Sequence, residues 1–116
     1  MDDPQWPVEW LRGVLELGAL AVVGEAPAHG YAIAQHLAAA GLGQVKGGTL
    51  YPLLARLEKE GLVASTWQAG DGGPGRKVFS ITADGRAELA HRAAQWGRFT
   101  ATVEAVVRLP RTLEAS

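Results

Sequence analysis

The chain has 116 residues, a formal net charge of −1, 47% hydrophobic residues and no cysteine. That length fits one compact domain with enough apolar material for a core, and the missing cysteines exclude a disulfide framework or a thiolate metal site. The acidic start Met1-Asp2-Asp3-Pro4 is unlike a secretory signal, and the apolar run from Val14 to Gly24 carries Glu16 and is too short to cross a bilayer. The expectation is a cytoplasmic protein with no membrane partner. A net charge near zero counts mildly against a nucleic-acid binder, although a local basic patch is enough for that work.

Residues 1–7 hold two prolines and two acids and read as a loose arm, with Trp6 free to dock on a neighbour. A first helix is expected from about Val8 to Val23. Leu11, Val14, Leu15, Gly18 and Ala21 lie near one side and Leu17 and Leu20 broaden it, so it should be buried on more than one face, in a central or dimer-facing position. Gly24 to His29 is a turn, because Gly24 and Pro27 both break helices. A second helix runs from about Gly30 to Ala40, with Ile33 and Leu37 inward, and Gly41 and Gly43 stop it. A connector over residues 42–47 leads to a third helix, for which Thr49 can serve as N-cap.

Leu50, Leu53, Leu54 and Leu57 recur at i, i+3, i+4 and i+7 and form a single apolar stripe on that third helix. Pro52 should fall near the third helical position, where its missing N–H costs nothing. Gly61 is placed to end the helix as a left-handed cap. The opposite side carries Gly48, Pro52, Ala55 and Lys59, flanked by Tyr51 and Arg56, a small and partly basic face that suits a groove. Two short helices with a glycine-containing link, the second with an open face, make a helix-turn-helix.

After Gly61 the period changes to about two. Val63, Ser65 and Trp67 alternate with their neighbours, as do Lys77, Phe79 and Ile81, across a glycine-rich stretch from Ala69 to Gly75. That is a β-hairpin, a wing, with Arg76 and Lys77 at its base. Thr82 caps a last helix from about Ala83 to Leu109, stopped by Pro110. Leu89, Ala93, Trp96, Thr100, Val103 and Val107 follow a heptad seam there. So long a helix needs a second copy to cover it.

The fold expected is therefore mainly α with a small β-hairpin, a winged helix-turn-helix with a long C-terminal dimerisation helix. The domains are an arm at 1–7, a DNA-binding domain at 8–82, a dimerisation helix at 83–109 and a tail at 110–116. Leu11, Leu15, Leu89, Ala93, Trp96, Thr100, Val103 and Val107 are the expected dimer interface.

His29-Gly30-Tyr31, Gly48-Thr49-Leu50-Tyr51-Pro52, the run from Arg56 to Leu62, Gly75-Arg76-Lys77-Val78-Phe79, Thr82 with Gly85, and Trp96 with Phe99 together resemble the PadR family of bacterial transcriptional regulators. The resemblance covers about Leu11 to Val107 and fits the compact branch with one C-terminal helix. It implies a homodimeric repressor of a palindromic promoter site. Many relatives release DNA on binding a small aromatic or amphipathic effector, and Trp96 and Phe99 then become candidates to line an effector pocket. Phe79 departs from the pattern, which often has tyrosine there.

The candidate contacts to double-stranded DNA are Lys46, Gly48, Thr49, Tyr51, Pro52, Arg56 and Lys59 around the third helix, and Arg76 and Lys77 in the wing. Thr49 and Tyr51 can donate to phosphate oxygens near a helix N-terminus whose dipole favours anions. The lysines and arginines supply charge. Plainer readings stand beside each. Arg56 can pair with Glu60 or with an acid elsewhere, Tyr51 can edge the core, the wing can be a solvated hairpin, and Trp96 and Phe99 can simply pack a dimer core. Few long polar side chains occupy the open face, so DNA shape would carry part of any specificity. The histidines His29, His36 and His91 are too dispersed for a metal site, the wing lacks the Lys-Ser/Thr ending of a phosphate-binding P-loop, and no catalytic constellation or cofactor is expected. The alternative to a DNA-binding regulator is a winged-helix protein-interaction module.

Overall fold

The computed structural model describes residues 6–70 and 72–109. The expectations about the first residues of the arm, the tail at 110–116 and the stop at Pro110 lie outside the described residues.

The elements in order are α1 (Val8–Glu25), β1 (Ala28–His29), α2 (Gly30–Leu37), α3 (Gly47–Lys59), β2 (Val63–Gln68), β3 (Arg76–Ile81) and α4 (Ala83–Val107). The three strands form one antiparallel sheet in the order β1-β3-β2. The helix-turn-helix and its hairpin wing are thus present. β1 is an addition, since the segment before His29 reads in sequence as a turn alone. Two residues are too few to show alternation, and β1 exists because Ala28 pairs with Phe79 and His29 with Val78 across the chain.

The core is Leu15, Ala19, Leu20 and Val23 of α1, Ile33 and Leu37 of α2, Leu50, Leu53, Leu54 and Leu57 of α3, with Leu62, Val63 and Phe79. The stripe on α3 therefore faces inward as its spacing requires. Phe79 is part of this core, so the position where relatives often carry tyrosine faces the protein interior. Leu15, expected at the dimer seam, is buried in the protomer's own core, and Leu89 packs against that core. Leu15 is thus covered by the protomer itself, while Leu89 keeps part of its surface open.

The start of α3 also differs from expectation. The N-cap is Lys46, whose carbonyl accepts from Thr49 N and Leu50 N at 2.9 Å each, and no side chain caps this end. Thr49 sits inside the first turn, and Pro52 falls at the sixth helical residue rather than near the third. Proline in a helix interior costs about 3 kcal/mol. Four buried leucines at about 1.5–3 kcal/mol each outweigh it.

The ends of the other elements follow the local chemistry. α2 finishes in a wide π-type turn over Ala38–Leu42, with Gly41 at φ 105°. Gly61 adopts φ 79° after α3. Its N–H donates to Glu58 O at 3.0 Å and Leu62 N donates to Leu57 O at 2.9 Å, a Schellman closure that turns the chain into β2. Thr82 caps α4 as expected. Its hydroxyl accepts from Gly85 N at 2.9 Å and donates to Gly61 O at 2.6 Å. Gly85 must lack a side chain, since a Cβ there would stand 2.0 Å from Leu62 O. α4 runs beside α1 as far as Phe99, and Gly85 is its one buried residue among those described.

Candidate nucleic-acid interface

The N-terminus of α3, the start of α2 and the base of the wing meet on one side of the molecule. Gly47 and Gly48 open α3 with neither a Cβ nor a capping side chain between their N–H groups and solvent. Lys46 stands beside them, exposed. Free N–H groups, the positive end of the helix dipole and a lysine make a receptor for an anionic oxygen.

Next to this end lies a cleft of about 530 Å³ lined by His29, Gly30, Tyr31, Tyr51, Trp67, Gly75, Arg76 and Lys77. Tyr51 leans from α3 over Gly30, the first residue of α2. A Cβ on Gly30 would stand 2.6 Å from the phenol oxygen and 2.7 Å from two ring carbons. The glycine thus sets where the phenol lies, and Tyr51 keeps 53% of its surface exposed. Tyr31 and Trp67 present their rings beside it, 66% and 72% exposed. His29 and Tyr31 lie parallel, with centroids 6.4 Å apart. Sequence reasoning did not assign Tyr31, Trp67 or His29 to the site. The signal available for Trp67 was its alternation, which puts it opposite Lys77 in the wing.

Arg76 approaches His29, with Nη1 3.0 Å from Nε2, while Ala32 N donates to Nδ1 of the same ring at 3.3 Å. A neutral imidazole has one acceptor nitrogen. It accepts from Ala32, capping α2, or from Arg76, but not from both, so Arg76 is only loosely held. Lys77 lies 3.7 Å from Glu58 Oε1 and 5.7 Å from the centre of the Phe79 ring. A half-exposed pair of that length is worth under about 1 kcal/mol. Glu58 also accepts from Ser65 Oγ at 2.6 Å, which ties β2 to α3 and sets the wing against the helix.

Of the other residues expected at the site, Gly48, Thr49, Pro52 and Lys59 are exposed along α3. Lys46, Lys59 and Arg76 have no carboxylate partner among the described residues. Arg56 lies apart from the cleft. Its Nε donates to Glu16 Oε2 of α1 at 3.2 Å, so its intramolecular partner is that distant acid and not Glu60. Several acids that lower the total charge are engaged elsewhere, with Glu16, Glu60 and Glu88 around Arg92 and Glu104 with Arg108.

A second cleft of about 250 Å³ lies between α1 and α4, lined by Gly13, Glu16, Leu17, Arg92, Gln95, Trp96 and Phe99. The Trp96 and Phe99 rings are 6.0 Å apart at a tilt of 42°. Further along α4, Val103, Val106 and Val107 are exposed. Among the described residues no group of histidines or acids could hold a metal ion, and no helix is long and apolar enough to cross a membrane.

Comparison with known proteins agrees with this arrangement. Residues 19–91 match the model of the transcriptional regulator PadR-like family. The chain is 38% identical over 81 residues to the transcriptional regulator Rv3488 of Mycobacterium tuberculosis, covering 70% of this chain and 74% of that protein. Its structure is similar to that of a PadR family transcriptional regulator from Eggerthella lenta, with a TM-score of 0.80 and 36% identity over 89% of each chain. A PadR-like transcriptional regulator from Bacillus cereus gives a TM-score of 0.78 at 33% identity, covering 88% of this chain and 99% of that one. The uncapped recognition helix, the wing behind it and these similarities lead to one conclusion: the chain belongs to the PadR-like family, whose members are transcriptional regulators and not enzymes.

Proposed function

We propose that this protein is a homodimeric repressor that binds a palindromic promoter site through α3 and the wing. The observation that carries the reading is the convergence of the open α3 N-terminus with the aromatic and basic cleft on one face. One phosphate sits at Gly47 and Gly48 with Lys46, and Thr49 and Tyr51 donate to backbone oxygens or base edges beside it. Arg76 and Lys77 follow the backbone from the wing, and Lys59 adds charge further along α3. Tyr31 and Trp67 supply flat apolar surface against sugars. Most of these contacts go to the backbone, so they set register, and shape carries much of the sequence preference.

The dimer reading is supported by α4, which leaves Trp96 and Phe99 partly exposed at the edge of the cleft with α1 and exposes Val103 and Val107 further along. Ala93 and Thr100 share the heptad spacing of that stripe, and Leu11 of α1, only partly buried, adds apolar surface. Two copies joined along α4 present two α3 helices to half-sites one helical turn apart, about 34–36 Å. Closure of the second copy over the cleft between α1 and α4 makes Trp96 and Phe99 the walls of a site for a small aromatic effector, whose binding releases the DNA.

The test is a fluorescence anisotropy titration with duplex from upstream of the chain's own gene and an unrelated duplex of equal length. The reading expects tighter binding to the upstream duplex and steep weakening with salt. Binding to neither duplex at low salt would overturn it.

A further inference from the structure

Glu16 divides its carboxylate between two arginines on different helices. Oε2 accepts from Arg56 Nε of α3, and Oε1 accepts from Arg92 Nη1 of α4, each at 3.2 Å. The two arginines are not equally supplied. Arg92 Nε also donates to Glu88 Oε2 at 2.6 Å, and its Nη2 lies 3.8 Å from Glu60 Oε1. The bond to Glu88 is the main reason its guanidinium holds its proton more firmly than usual. Burial works against this, and Glu16 adds to it. Arg56 has Glu16 alone among the described residues. Loss of Glu16 therefore leaves Arg92 with two acids and Arg56 with none.

Arg56 also stands where a released side chain would be useful. Gly48, Pro52 and Arg56 follow at i, i+4 and i+8, one ridge on the open side of α3. The two nearer members of that ridge are exposed. Glu16 and Arg92 both line the cleft between α1 and α4, beside Trp96 and Phe99. One carboxylate thus touches the recognition helix, the long terminal helix and that cleft.

We propose that Glu16 is a positioning residue that withholds Arg56 from DNA and couples the place of α4 to the charge that α3 presents. When the Glu16 carboxylate is drawn toward Arg92, Arg56 swings onto the ridge with Pro52 and gains a backbone phosphate. When Glu16 holds Arg56, α3 binds with one cation fewer. The inference rests on the DNA-binding reading above, and its readout is the number of phosphates engaged.

The experiment measures log affinity against log salt for the full chain on a mixed-sequence duplex. The variants are Glu16→Gln, Arg56→Gln, both together, and Glu104→Gln. The last removes one negative charge that, among the described residues, pairs with Arg108 at the far end of α4. Each added phosphate contact steepens the slope by about 0.9. Glu16→Gln should steepen it by that amount per protomer, while Glu104→Gln, Arg56→Gln and the double variant keep the wild-type slope.

Three results overturn the inference: a wild-type slope in Glu16→Gln, a steepening that survives in the double variant, or a shallower slope in Arg56→Gln alone. The last arm can overturn the inference even if Glu16→Gln fails to fold, because Arg56 adds nothing to the slope while Glu16 holds it as in this structure. Wild-type protein with no salt-sensitive duplex binding would remove the DNA-binding reading and this inference together. Normal wild-type binding with coincident slopes would remove this inference alone.

Discussion

Gly30→Ala separates the geometry of the site from the stability of the fold. The new Cβ would stand 2.6 Å from the Tyr51 hydroxyl, while ordinary contact begins near 3.4 Å, so the phenol must retreat by about 0.8 Å. The backbone at Gly30 needs no positive φ, and the clash is with the far end of a half-exposed side chain. Folding should therefore suffer little. Alanine is the better helix former by up to about 1 kcal/mol, so Tm should stay level or rise slightly. Binding should suffer, because a hydrogen bond to a charged acceptor is worth about 1.5–3 kcal/mol. Losing one corresponds to about tenfold weaker affinity or more. The assay is anisotropy on a duplex with Gly30→Ala, Tyr51→Ala and the double variant, alongside thermal melts. In the Tyr51→Ala background, Gly30→Ala should have almost no further effect. An equal loss in both backgrounds, or a melting temperature that collapses, would refute the account of why this glycine faces this tyrosine.

Three other outcomes follow from the structure. Gly85→Ala should behave in the opposite way, losing at least about 1–3 kcal/mol of stability in denaturant melts, because the clash is with the Leu62 carbonyl and cannot be relieved by a side-chain swing. Arg76→Ala with Lys77→Ala should weaken binding to all duplexes alike and flatten the salt slope by up to about 1.8 per protomer; an unchanged slope would remove the wing from the interface. Val103→Asp should give monomers in sedimentation, because the charge would be enclosed unpaired in an apolar seam. A dimer that persists would place the interface elsewhere.

Most of the helical plan was legible because periodicity and caps are local. The leucines of α3, Gly61 and Thr82 each act within a few residues of themselves. What escaped was either weakly coded or non-local. Gly47 read as the end of a connector and Gly48 fell before the expected cap at Thr49, because glycine disfavours helix by about 1 kcal/mol each, yet the buried leucines behind them extend α3 backward over both. That extension moved the cap from Thr49 to Lys46 and left the helix end open. β1 depends on pairing with a strand some fifty residues on, and the partner of Arg56 lies forty residues back in α1. A heptad pattern, like the broad apolar face of α1, reports which residues share a face but not how much of it the protomer already covers, and so Leu15, buried in the core, and Leu89, partly packed against it, were both expected at the dimer interface. Tyr31 and Trp67 join the site only because α2 and the wing converge on Tyr51.

The most direct test of the central claim is an amide shift map of the isotopically labelled chain during titration with its upstream duplex. The account predicts that the largest changes fall on Lys46 to Tyr51, on Tyr31, on the Trp67 indole and on Arg76 and Lys77. Changes concentrated instead on the outer half of α4, with the α3 N-terminus and the wing silent, would contradict it.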